Sequence, residues 1–167
     1  MTGPLSAILT FVYGPIEPPE PDPLFTVART ILTELPHLRG RDHMHTVMGL
    51  TYLCAMMHLG RTGETLFPDR FEATAFGPVI PRLHADLRRH VPRCLSDTHD
   101  RPLGAGGAGT VRELCRDAGD LTRTQQIAIM QRSDSGWGST YRHLGSTDRG
   151  PVMRREALLA DYRRLAA

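Results

Sequence analysis

Residues 52–84 read YLCAMMHLGRTGETLFPDRFEATAFGPVIPRLH, and the first half is apolar nearly all round: Tyr52, Leu53, Cys54, Ala55, Met56, Met57, Leu59. A surface helix carries one apolar stripe, so this run predicts a helix enclosed by the rest of a small domain. Gly60 and Gly63 follow and are expected to end it, because glycine enters the left-handed conformation of a helix C-terminus without a Cβ penalty. Phe71, Ala73 and Ala75 then share one face of a period-two pattern, which predicts a short extended element around residues 66–76. Gly77-Pro78-Val79-Ile80-Pro81 reads as a rigid turn launching another helix, its prolines placed where a missing amide donor costs least.

Upstream, Asp22-Pro23 reads as a cap and first-turn pair for a helix over residues 24–35. Val27, Ala28, Ile31, Leu32 and Leu35 fall there at helical spacing, and Pro36 stops the run. Asp42 is placed to cap the next helix, expected over residues 43–59. Residues 1–23 form a leader with five prolines within 15–23, which predicts an extended tether or a proline-motif docking peptide.

Downstream, residues 78–91 predict a helix with Val79, Ile80, Leu83 and Leu87 inward and Arg82, Asp86, Arg88 and Arg89 facing solvent. Residues 92–109 read as a flexible connector. Its glycines at 104–109 suggest a phosphate cradle, but such a loop needs a preceding strand and a lysine at the helix start, and the chain has neither. Thr110 is expected to cap a helix to about Arg116, and Thr122 or Thr124 to begin another that carries Ile127, Ala128, Ile129 and Met130 to Arg132. Trp137, after the break at 133–136, reads as a core plug whose indole N–H needs a carbonyl, with a partner contact as the alternative. Residues 138–150 read as loop. Residues 151–165 read as a last helix, with Val152, Leu158, Tyr162 and Leu165 toward the core and Arg154, Arg155, Arg163 and Arg164 on a charged outer face. The result is a mainly α single domain over 24–167, a bundle of about six helices with a minor extended element.

Composition narrows the function classes. A hydrophobic share of 40% fits a globular domain, and a formal charge of +2 is too small to imply a nucleic-acid partner. All 20 basic residues are arginine, which reads as codon bias or as avoidance of lysine-directed tagging in a host cell. The three cysteines, Cys54, Cys94 and Cys115, are odd in number and widely spaced, which argues against a disulfide framework or a paired-thiolate zinc site. His43 and His45 are two apart and point to different sides of a helix, so they do not form an i, i+4 metal pair. No apolar run approaches the ~18 residues of a membrane span. No basic leader precedes the N-terminal apolar residues, so a reducing cytoplasm is the expected compartment, with secretion into a host as the alternative.

The block at 52–84 resembles the Panacea domain, found in antitoxins, phage-associated proteins and proteolytic adaptors. Tyr52-Leu53-Cys54 stands for that family's Tyr-Phe-Ala, and residues 62–67 stand for its Thr-Gly-x-Pro-Leu-Phe helix exit. Phe71-Glu72-Ala73 stands for Phe-Glu-Ala, and residues 76–81 for Tyr-Gly-Pro-Val-Val-Pro. Residues 129–137 are similar to its Leu-Thr-His-x-x-x-x-Pro-Trp, and 152–162 to its final helix. Gly49, Thr74, Gln131 and Gly136 depart from it, standing where the family has Lys, Trp, His and Pro.

No nucleophile-and-base pattern, carboxylate pair or ligand cluster stands out. Glu72 is expected to pair with an arginine or cap the turn at Gly77 rather than to act as an acid or base. The expectation is a non-catalytic protein-binding domain with no cofactor and no metal. The resemblance implies an antitoxin whose protein partner is a toxin encoded beside it. A proteolytic adaptor or a secreted effector retaining the fold are the alternatives. The residues expected at the contact surface are Glu72, Phe76, Pro78, Arg82, Arg88 and Trp137.

Overall fold

Asp22 opens the first helix, α1 (Pro23–Glu34), its carboxylate accepting from the N–H groups of Leu24 and Phe25 as the cap pattern predicts. Leu24, Val27, Ala28, Ile31 and Leu32 are buried on one side of α1. The computed structural model describes residues 22–96, 103–104, 106–142 and 150–167. The expected leader, apart from Asp22 and Pro23, therefore lies outside the described residues, as do residues 97–102 and 105 of the connector and 143–149 of the later loop.

Two short 3-10 turns, Pro36–Leu38 and Arg41–His43, lead into α2 (Met44–Thr62). Asp42 lies inside the second turn and does not cap α2. His43 takes the capping position with no side-chain hydrogen bond. Helix α2 is 19 residues long, and every residue from Thr46 to Met56 is buried, as the all-round apolar run predicts. It runs past Gly60 and ends on Gly63, which takes a φ of 74°.

Two three-residue strands follow, β1 (Glu72–Thr74) and β2 (Gly77–Val79), antiparallel with Glu72 opposite Val79, Ala73 opposite Pro78 and Thr74 opposite Gly77. The Gly-Pro-Val run is thus a strand and not the start of a helix. Pro78 is tolerated there because its missing donor falls on a short edge strand. Phe71 and Ala73 are buried as expected, whereas Ala75 is exposed because the chain turns at that point. A third segment pairs with the far side of β1: Ala73 N–H donates to Pro151 O (2.9 Å) and Met153 N–H to Phe71 O (2.7 Å), placing Val152 opposite Glu72. Residues 151–154 are consequently extended, and the last helix begins only at Arg155.

Helix α3 (Pro81–Leu87) is shorter than expected at both ends. Asp86 is buried, not solvent-facing, and accepts from Arg93 N–H (2.9 Å) and Cys94 N–H (3.1 Å) at the start of α4 (Arg93–Ser96). Helix α5 (Gly107–Ala118) takes in glycines read as loop, and Thr110 lies within it instead of capping it. Thr122 caps α6 (Arg123–Met130) in a reciprocal capping box with Gln125. In α6 the buried residues are Gln126 and Met130, while Ile127 and Ala128 are exposed. Ser135 caps α7 (Gly136–Tyr141), a helix where a break and a loop were expected. Helix α8 (Arg155–Ala166) closes the described chain; Val152 and Leu165 are exposed.

The fold is mainly helical, with eight helices and one two-stranded sheet among the described residues; α4 and α7 account for the excess over six. Helix α2 is the axis, in contact with α1, α3, α5, α6, α8 and β2. Among the described residues no helix is long and apolar enough to cross a membrane.

Candidate functional site

The β1–β2 hairpin holds its turn at the protein surface and is braced from several sides. Thr74 closes the turn, its hydroxyl donating to Gly77 O (3.0 Å) and accepting from Phe76 N–H (3.2 Å). Glu72, expected to cap this turn or pair with an arginine, does neither: it is half-buried in β1 and makes no ion pair among the described residues. Trp137 Nε1 donates to Thr74 O (2.8 Å), and its ring stacks on Tyr141 with centroids 4.6 Å apart. The indole thus finds its carbonyl, and the carbonyl belongs to the hairpin. Arg123 donates to Phe76 O and to His45 O, fixing the turn to α6 and α2. Gly77 has a φ of 105°, and the Gln131 amide sits 2.8 Å from where a Cβ would be. The positive φ strains any residue larger than glycine at that position, and its side chain would also have to displace the Gln131 amide.

Phe76 stands out of this frame with 63% of its surface exposed. Its ring stacks against His45 at 5.2 Å between centroids, and His45 lies 5.9 Å from His84 on α3. Burial lowers the His45 pKa, helped by the Arg123 charge and by His84; burial also lowers that of His84, helped by Arg88. Desolvation lowers the Arg123 guanidinium as well. Arg88 is exposed one helical turn beyond His84 and makes no ion pair among the described residues. The surface is therefore an aromatic ring flanked by two imidazoles and two guanidiniums.

The other expected contact residues fall elsewhere. Pro78 is buried in β2 and offers no surface to a partner. Arg82 is two residues from His84, on the opposite side of α3. Its guanidinium is taken by Asp22 and by both oxygens of Asp69 (3.0 and 2.7 Å), lies 5.0 Å from the Phe25 ring centroid, and is raised by these hydrogen bonds, that of Asp22 first. Arg82 thus ties the start of α1 to the segment before β1. Trp137 is half-buried and supports the surface from below. Of the six expected residues, only Phe76 and Arg88 share the exposed patch.

The sequence reading missed His45, His84 and Arg123 as members, because α2, the hairpin, α3 and α6 meet only in three dimensions. It weighed His45 only against His43, as a metal pair it rejected, whereas the structure sets His45 beside His84. It also missed Asp161, which is 1% exposed and accepts from Tyr52 O–H (2.6 Å) and Gly136 N–H (2.9 Å), with Arg164 at 3.4 Å. Its spacing gave a signal, since it follows Leu158 by three residues and so lies on that residue's inward face.

The three cysteines are free and buried, and burial pushes the Cys94 thiol up to about 12 and Cys115 up to about 11. Thiols held protonated in this way are poor nucleophiles. No group of three or more His, Cys, Asp or Glu side chains among the described residues is arranged to hold a metal ion. The chain matches no family model, no curated protein and no solved structure. The likeness to the Panacea domain therefore rests on the motif residues alone.

Proposed function

We propose that the protein is a non-catalytic binding domain that neutralises a toxin encoded beside it by covering the toxin's active surface. One observation carries the binding part of this reading: an exposed phenylalanine at the tip of a hairpin whose Thr74, Phe76 and Gly77 carbonyls are all engaged. An aromatic held rigidly loses little freedom on binding, and aromatic and arginine side chains dominate the energetics of protein interfaces. A stable complex needs about 800 Å² from each partner, so Phe76 with Arg88, His45 and His84 would form the centre of a larger contact. The toxin as occupant follows from the Panacea resemblance of residues 52–84 and 129–137.

The test is genetic and biochemical. The product of the adjacent gene is expressed alone and together with this protein, and the pair is purified through a tag. Growth arrest by the neighbour alone, rescue on co-expression and a stoichiometric complex support the reading. Absence of both arrest and complex overturns it.

A further inference from the structure

A second surface lies at the other end of α2, roughly 20 Å from His45 at about 1.5 Å per helical residue. It is a groove of about 450 Å³ between the exit of α2, the segment before β1 and the start of α8. Leu59, Phe67, Phe71, Met153 and Leu158 give it an apolar floor. Its rim is basic. Arg70 and Arg154 are exposed and make no ion pair among the described residues, and Arg155 donates only to the Gly63 carbonyl. The carboxylates nearby do not cancel this charge: Asp69 is held by Arg82, which leaves Glu156 on the wall and the half-buried Glu72, opposite Val152 across the strand pair, against three arginines.

The edge of the groove also offers backbone. The Pro151 C=O and the Met153 N–H are both bonded to β1, so in this antiparallel pattern the N–H and C=O of Val152 point away from the sheet. Neither makes a hydrogen bond among the described residues, and the Val152 side chain is 45% exposed. A free strand edge beside an apolar floor is the arrangement that accepts an extended peptide, with main-chain pairing supplying affinity and alternate side chains filling the pocket. We propose that this groove binds an extended acidic segment of a partner protein. The segment pairs with Val152, places one aliphatic or aromatic side chain on the floor and sets flanking carboxylates against Arg70 and Arg154. The proposal is independent of the toxin-binding surface at Phe76.

A displayed library of random heptapeptides selected on the full chain tests it. Enriched peptides are expected to carry an apolar residue flanked by Asp or Glu. The best of them, made synthetically with a fluorophore, should bind saturably. Arg70→Glu with Arg154→Glu should weaken that binding at least ten-fold and should itself select peptides flanked by Lys or Arg. Val152→Pro removes the outward N–H while leaving both bonds to β1, and should weaken binding to a similar degree. Phe76→Ala should leave it unchanged. Selection without an acidic preference, no enrichment at all, equal affinity for the variants, or loss of binding in Phe76→Ala would each overturn the proposal.

Discussion

Asp161 is a buried carboxylate that ties three helices together. Buried at 1% exposure, it joins α2 through Tyr52, α7 through the Gly136 N–H and its own helix through Arg164, which also donates to Ile129 O in α6 (2.9 Å). Burial, then the Asp161 charge, raises the Tyr52 pKa, so the phenol remains a donor at all ordinary pH. Tyr52→Phe deletes one donor to a buried carboxylate and should lower unfolding free energy by about 1–3 kcal/mol in urea titrations. The departures from the Panacea pattern have local causes of the same kind. A proline at Gly136 would remove the donor to Asp161 and bring its Cβ within 2.5 Å of Ala157 O; a side chain at Gly49 would meet Gln126 Oε1 at 2.4 Å. Thr74 supplies the hydroxyl that closes the hairpin, and Gln131 packs over Gly77. Trp137→Phe leaves the Thr74 carbonyl without its indole donor and should cost about 1–2 kcal/mol by the same assay. His45 and His84 set a pH dependence. Their folded-state pKa values lie below the ordinary 6.5, so the unfolded chain takes up protons first as pH falls through that value. Stability should therefore drop from about pH 6.5 downward and level off once the folded imidazoles protonate too. Urea midpoints between pH 7.5 and 5 should fall more steeply for the native sequence than for a protein with His45→Gln and His84→Gln.

Elements in this fold are set by which residues their partners need, and two helices show it. Asp86 ends α3 and begins α4 by accepting two α4 amides, so Asp86→Ala orphans both and should destabilise by about 2 kcal/mol, with Asp86→Asn losing less. Helix α6 packs on α2 through Gln126, fully buried with its amide making no hydrogen bond to any described residue. Gln126→Met keeps the volume and removes the unsatisfied group, and a gain of about 1 kcal/mol in urea titrations is expected. The position of α6 also explains what the sequence could reveal and what it could not. The burial of α2 was legible because nothing polar interrupts its apolar run, and the Asp22 and Thr122 caps were legible because capping is local. The sequence singles out Ile127 and its apolar neighbours and passes over Gln126, because hydrophobicity alone cannot register that Gly49 leaves room for a glutamine on the facing helix. The Gly77–Val79 strand read as a helix start because its partners, Glu72–Thr74 and then residues 151–153, are supplied by the rest of the chain. The candidate surface was half legible. Phe76 and His84 lie in the motif block at 52–84 and Arg88 just beyond it, whereas His45 and Arg123 reach them only through the packing of α2 and α6.

At the scale of the whole molecule, α2 separates two surfaces of different character. One end presents a rigid aromatic tip among imidazoles and guanidiniums; the other presents an apolar groove with an arginine rim. Arg82 is part of neither. It secures α1 to the segment before β1, so Arg82→Glu tests folding, while Arg88→Glu tests the Phe76 surface. Arg88→Glu should weaken partner binding with little change in thermal unfolding, because it breaks no described ion pair. The most direct test of the account is calorimetric titration of the purified adjacent-gene product into the native protein and into Phe76→Ala. The account predicts a one-to-one complex with the native protein and an affinity loss of at least ten-fold, about 1.4 kcal/mol or more, for Phe76→Ala with its fold intact. Equal affinity for the two proteins, or no binding to either, would contradict it.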